Sequence, residues 1–83
     1  MAREITPEAA AKLILSIVVH DLKVAPNGRT FMKPMTIAWE KTPYTLHDFE
    51  RGMQLCVNER WMHMVPDQMQ LTKAGFAAAP EAE

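Results

Sequence analysis

The chain has 83 residues, of which 48% are hydrophobic and 23% charged, and its formal net charge is −1. This balance is typical of a globular domain, and it excludes both a disordered chain and the strongly basic composition of an obvious nucleic-acid binder. A chain of this length forms one small domain. Residues 1–79 are therefore predicted to form a single domain and residues 80–83, with Glu81 and Glu83, a disordered acidic tail.

The single cysteine and the longest apolar run indicate in which cellular compartment the protein is expected. Cys56 cannot close an intramolecular disulfide, which favours a reducing compartment. The run LILSIVV is far shorter than the roughly 20 residues that span a bilayer. No small-residue cleavage site accompanies it, so a signal peptide is not expected. We therefore expect a cytoplasmic protein with no membrane-spanning segment.

The first predicted helix covers the run ITPEAAAKLILSIVVHDLK. Thr6 suits the N-cap, and Pro7 suits the first helical position. The apolar face of this helix is broad, because Leu15 and Val19 widen it and leave only a narrow polar stripe. Two interpretations stay open: a central helix that its own chain wraps on several sides, or a helix shared across a homodimer.

A loop and a short second helix follow. The Pro-Asn-Gly run gives the stretch VAPNGRT the chemistry of a turn. The stretch KPMTIAWEKTP predicts a short helix that starts at Pro34 and stops before Pro43. Its β-branched residues make a strand the alternative.

The second long helix is predicted over YTLHDFERGMQLCVNERW. Thr45 and Asp48 resemble a capping box, with Asp in place of the usual Glu or Gln. Gly52 lies beside the apolar face and costs about 1 kcal/mol of helix propensity, so we expect another helix to approach closely there. The opposite face carries four polar side chains spaced four, three and four residues apart. They are His47, Arg51, Gln54 and Asn58.

Two strand-length runs, WMHMV and MQLT, are separated by Pro-Asp-Gln, which is the spacing of a hairpin. Met62 and Met64 share one face of the first run, whose other face is also fairly apolar. Met69 and Leu71 share one face of the second run. Thr72 can then cap a last turn over KAGFAAA.

Shared helical or strand phase predicts one core across these elements. Its expected members are Phe49, Met53, Val57, Ile14, Ile17, Val18, Leu71 and Phe76. Six of the seven methionines lie between Met32 and Met69, where adaptable core packing is their usual role.

The order helix, loop, short helix, capped helix and hairpin resembles the winged-helix domain, a helix-turn-helix variant, over roughly residues 5–78. The run LTKAGF is similar to the LTxxG ending of the last wing strand in many such regulators. RWMHM stands where those proteins often have a Gly-Trp pair after the recognition helix. The fold class implied is mainly α with a C-terminal β-hairpin (α+β), winged-helix-like, with three helices plus the wing.

The chain departs from the DNA-binding pattern of that family in two places. Arg60 replaces the glycine expected at the end of the recognition helix, so the turn into the hairpin is expected to differ. Residues Trp61 to Thr72 contain no lysine or arginine, and Asp67 lies at the tip. A wing that contacts phosphate normally supplies cations.

The resemblance implies a dimeric transcriptional regulator that binds double-stranded DNA. The helix from Leu46 to Arg60 would enter the major groove, where an arginine can donate to guanine and side-chain amides can pair with adenine. Lys33, just before the second helix, and Lys41, within it, would contact phosphates. On residue types alone, an ordinary solvated helix face is at least as good an interpretation. The residues expected at the DNA are His47, Arg51, Gln54, Asn58, Lys33 and Lys41.

The second hypothesis is a non-enzymatic protein–protein interaction module on the same fold. The uncharged hairpin and the weak net charge favour it. An exposed methionine patch would suit a protein partner. The contact surface would combine the hairpin with the first helix, through Met62, Met64, Leu15 and Val19.

Enzymatic activity, metal binding and a cofactor are not expected. His20, His47 and His63 lie on separate predicted elements, and one cysteine completes no zinc-binding spacing. Cys56 lies on the apolar face of its helix, where a core role is expected rather than a nucleophilic one. The three glycines form no phosphate-binding loop.

Overall fold

The computed structural model describes residues 5–80, so the predicted tail beyond Pro80 lies outside the described residues. Within that range the chain is a mixed α+β structure of four α-helices and one three-stranded antiparallel sheet. None of these helices is long and apolar enough to cross a bilayer. The elements are α1 (Pro7–Ser16) with a π-helical continuation (Ile17–Asp21), β1 (Arg29–Thr30), α2 (Met32–Glu40), α3 (Leu46–Asn58), β2 (Met62–Val65), β3 (Gln68–Leu71) and α4 (Lys73–Ala78).

The α+β class is confirmed, but the described chain has one helix and one strand more than predicted. The extra strand β1 forms at the end of the predicted loop and pairs with β3, with Arg29 opposite Gln70. The sheet order is β1-β3-β2. A strand of two residues is too short to show an alternating pattern, and its pairing partner lies far along the chain. The extra helix α4 covers six of the seven residues of the predicted last turn, KAGFAAA.

The first helix is the centre of the fold, and its wrapped interpretation is confirmed. Its inward residues and those of its continuation are buried: Ala10, Ala11, Ile14, Leu15, Ile17 and Val18. Gly52 of α3 faces it, and a Cβ on this glycine would lie 2.8 Å from Ile14 Cδ1 and 2.9 Å from Ala10 Cβ. The glycine therefore permits the close approach of the two helices that the sequence predicted.

This packing removes the argument for a homodimer. Leu15 is fully buried, and Val19 is half-buried against the core of its own chain. The broad apolar face of the first helix is thus covered within one chain. Homodimerisation stays a prediction that lacks this support.

The stretch after the loop is helical, so the alternative strand is wrong. Trp39 of α2 is fully buried, with its ring centroid 5.4 Å from that of Phe49 and 5.9 Å from that of Tyr44. Its Nε1 donates to the carbonyl oxygen of Thr45 at 2.9 Å. These contacts hold α2 against the start of α3, where the predicted capping box of Thr45 and Asp48 is present.

The helix α3 ends in a Schellman motif even though no glycine is available. The amide of Arg60 donates to Val57 O at 3.1 Å, and the amide of Trp61 donates to Cys56 O at 2.8 Å. Arg60 adopts the left-handed conformation, with φ of 60°. The turn expected to differ at Arg60 therefore has the usual helix-ending geometry, at the steric cost of a side chain in that region.

The run LTKAGF joins the hairpin to the end of α3. Thr72 Oγ1 donates to Arg60 O at 2.7 Å and accepts a hydrogen bond from the amide of Gly75 at 3.0 Å. A Cβ on Gly75 would overlap the carbonyl oxygen of Trp61. The threonine therefore caps α4, and the glycine lets this short helix lie directly on the backbone of Trp61.

The predicted core is confirmed for its members on α1, on the π-helical continuation and on β3, and for Phe49 and Met53 on α3. It is wrong for Val57, which is half-buried, and for Phe76, which is 41% exposed. Gly75 is the buried residue of α4, and Phe76, one position later, points away from that contact.

Candidate functional site

The polar stripe of α3 lies on the surface, as predicted. Its residues His47, Arg51, Gln54 and Asn58 are all exposed. Gln54 Nε2 donates to Asn58 Oδ1 at 3.1 Å, so each amide already satisfies part of the hydrogen-bonding capacity of the other. Arg51 occupies the middle of the stripe with its guanidinium side chain in solvent.

The two lysines predicted at phosphates lie in a different depression. Lys33 and Lys41 line a concavity of about 440 Å³ together with Asp21 and Leu22, at the end of the first helix. No residue of α3 lines it. The two lysines therefore share a depression with each other but not with the polar stripe.

The residues predicted at a protein partner divide between core and surface. Met62 is 1% exposed and Leu15 is fully buried, so their assignment to a contact surface is corrected to the core. Both side chains belong to the single hydrophobic core that α1, α2, α3 and the sheet share. Val19 is half-buried, whereas Met64 is 64% exposed.

Met64 borders a groove between α3, the start of α2 and the hairpin. Two adjoining depressions, of about 680 Å³ and about 220 Å³, share Met32 and Met64 as lining residues. We call this surface the methionine groove. Its principal apolar lining consists of Met32, Phe49, Met53, Val57, Met64 and Met69.

Phe31 and Met32 are residues that the sequence reasoning missed. Phe31 occupies the N-cap of α2, makes no side-chain cap hydrogen bond and is 58% exposed. Ser, Thr, Asp or Asn is usual at an N-cap, and an apolar residue there costs about 1 kcal/mol. The predicted helix began at Pro34, two residues later than the observed start. The apolar pair Phe31-Met32, separated from Pro34 by Lys33, was the signal that could have identified an exposed patch.

Cys56 is a core residue, as predicted. It is fully buried, and its Sγ lies 3.7 Å from the carbonyl oxygen of Ala11. Burial raises the pKa of the thiol to about 12, which disfavours a thiolate nucleophile at neutral pH. Over residues 5–80, no group of three or more His, Cys, Asp or Glu side chains is placed to hold a metal ion.

Comparison with protein-family models, with curated proteins and with solved structures finds no match for this chain.

Proposed function

We propose that this chain is a winged-helix-like, non-enzymatic cytoplasmic domain that binds another protein through the methionine groove. The fold part of the proposal is supported by the order helix, short strand, helix, capped helix and hairpin. It is also supported by the sheet, in which β3 lies between β1 and β2. The helix α4 is an addition to the three helices of the resemblance.

The observation that carries the proposal is the clustering of exposed apolar side chains around one concave surface. Met64 and Met32 are exposed at the groove, and Phe31, the residue before Met32 in the chain, is exposed but lines neither depression. Phe49 and Met53 form a nearly buried part of the lining. Single exposed apolar residues are ordinary, but a contiguous patch in a concavity is typical of an interaction site. Methionine suits such a surface because its side chain is flexible and polarizable.

Electrostatics favours a protein over DNA at the methionine groove. The hairpin from Met62 to Leu71 contains no lysine or arginine, and Asp67 lies at its turn. Glu50 also lines the groove. Lysine and arginine supply most of the electrostatic attraction to a phosphate backbone, and carboxylates at the same surface would repel it.

Selection of a random peptide library, displayed on phage, against the immobilised full chain tests this function. We expect an enriched set of peptides whose binding weakens about tenfold in Met64→Gln, because burial of a methionine side chain is worth about 1.5–3 kcal/mol. Ile37→Gln is the matched control, because Ile37 is an exposed apolar residue of α2 outside the groove. The absence of enriched peptides, or equal losses in both variants, would contradict the proposal.

A second candidate function, recognition of double-stranded DNA by α3, is favoured by the exposure of Arg51 at the centre of the polar stripe. An arginine there can make a bidentate contact to guanine worth about 1–3 kcal/mol of discrimination. Selection from a randomised pool of DNA duplexes tests this candidate. If α3 reads DNA, Arg51→Ala weakens binding about tenfold and relaxes the preference at one base. Lys41→Ala would weaken binding to all sequences alike, and an unenriched pool would reject DNA recognition.

A further inference from the structure

The titratable residues that line the methionine groove are both acidic. Glu50 lines the smaller depression and Asp67 the larger one. Glu50 belongs to α3 and Asp67 to the hairpin turn, so each wall of the groove carries one carboxylate. Both residues are exposed, and their charges are therefore available to a bound partner.

The acidic lining is a property of this groove and not of every concavity on the surface. A depression near the start of the hairpin is lined by Arg60 and His63 without an acidic residue. The depression at α2 is lined by Lys33 and Lys41 together with Asp21. The charged residues that line the groove are thus acidic, although the net charge of the whole chain is only −1.

We infer that the methionine groove binds a protein segment that combines apolar side chains with neighbouring lysine or arginine. This inference rests on the proposed function. The apolar side chains of such a segment would cover Met32 and Met64, while its cations would lie near Glu50 and Asp67. The same two carboxylates disfavour an acidic segment, a nucleic-acid phosphate and an anionic lipid surface.

The two carboxylates contribute mainly to selectivity, because they are exposed. Ion pairs at an exposed rim are screened by water and salt, and each contributes little to affinity. Complementary charge instead raises the association rate and discriminates against partners of the wrong sign. The apolar contact therefore provides most of the affinity, and the acidic rim selects among apolar segments.

The charge of the selected phage peptides tests the inference. Peptides whose affinity depends on Met64 are expected to carry net positive charge. The double variant Glu50→Gln, Asp67→Asn should lower their affinity about threefold to tenfold, as expected for two exposed ion pairs. Asparagine tolerates the left-handed backbone that residue 67 adopts, with φ of 63°, so the hairpin is retained. Glu40→Gln removes an exposed carboxylate of α2 that lines neither depression, and it should leave affinity unchanged.

The outcomes separate this inference from the function on which it rests. Peptides that depend on Met64 but are neutral or acidic would overturn the inference and leave the groove as the binding site. Positively charged peptides that bind the double variant and the parent protein equally tightly would also overturn the inference and leave the groove as the binding site. A selection that yields no peptide dependent on Met64 would overturn both.

Discussion

Met64 lies directly opposite Met69 in the β2–β3 hairpin, yet Met64 is 64% exposed and Met69 is 1% exposed. Residues directly opposite each other in an antiparallel pair point to the same face of the sheet. Met62, Met64, Met69 and Leu71 therefore form one face of the hairpin, its inner face. This face is buried at Met62 and Leu71, and nearer the turn it is exposed at Met64. This uncovered end of an otherwise buried face forms one wall of the methionine groove.

The two methionines of this pair should differ sharply in their contribution to stability. Met69→Ala should lower the free energy of unfolding by about 2–5 kcal/mol, because it removes a fully buried side chain. Met64→Ala should change it by only about 0.5 kcal/mol or less, because the side chain is exposed. Urea unfolding followed by circular dichroism measures both values. Equal losses in the two variants would show that the hairpin does not have this inner face.

Gly75→Ala should destabilise the protein even though alanine is the better helix former. Alanine normally favours a helix by about 1 kcal/mol over glycine. Here the added Cβ would overlap the carbonyl oxygen of Trp61 and displace α4 from the end of α3. The control Ala74→Gly changes an exposed neighbour in the same helix and should cost about 1 kcal/mol or less. A higher melting temperature for Gly75→Ala would contradict the packing of α4 on Trp61.

Arg60→Gly should stabilise the protein by about 1 kcal/mol. Arg60 has φ of 60°, a conformation that glycine adopts without the steric cost of a Cβ. The Schellman hydrogen bonds use backbone atoms and survive the change. Glu59→Gly serves as the control, because Glu59 has φ of −84° and gains nothing from glycine. Chemical denaturation of both variants distinguishes them, and a loss of stability in Arg60→Gly would count against this helix-ending geometry.

The buried thiol of Cys56 should make the protein less stable at alkaline pH. Burial raises the pKa of Cys56 from 9.0 to about 12 in the folded chain, so the unfolded chain loses this proton first as pH rises. The contribution of the buried thiol to the free energy of unfolding is complete below pH 9. It declines between pH 9 and pH 12, by up to about 1.4 kcal/mol per pH unit.

Urea unfolding of the parent and of Cys56→Ala, at several pH values from 8 to about 11, isolates this effect from that of other titrating groups. The stability difference between the two proteins should shrink as pH rises. A constant difference, or rapid modification of the folded protein by a thiol reagent at pH 8, would contradict the burial of this thiol.

Local structure was predictable because a few neighbouring residues determine it. The N-cap at Thr6, the capping box at Thr45 and Asp48, and the cap at Thr72 each follow from side chains within three residues of the helix start. The polar stripe of α3 likewise followed from helical spacing alone, and its four side chains are exposed.

The groove was not predictable, because it depends on contacts between distant segments. Helical phase put Leu15 on the broad apolar face of the first helix but did not show what covers that face, and the rest of the same chain buries it. Strand phase put Met62 and Met64 on one face of the hairpin. It does not show how far the rest of the chain covers that face, which is covered at Met62 and open at Met64. The exposure of Met32 depends on where α2 meets the hairpin, which no local pattern specifies.

Methyl NMR of the full chain, with a ¹³C label on the methyl group of each methionine, shows whether a protein partner binds in the methionine groove. On addition of an enriched phage peptide, we predict that the methyl signals of Met32, Met53 and Met64 shift. The signal of Met35, which is buried in the core and lines neither depression, should stay in place. A peptide that binds and shifts the backbone amide signals of His47 and Arg51, while the methyl signals of Met32 and Met64 stay unchanged, would show that the partner binds elsewhere.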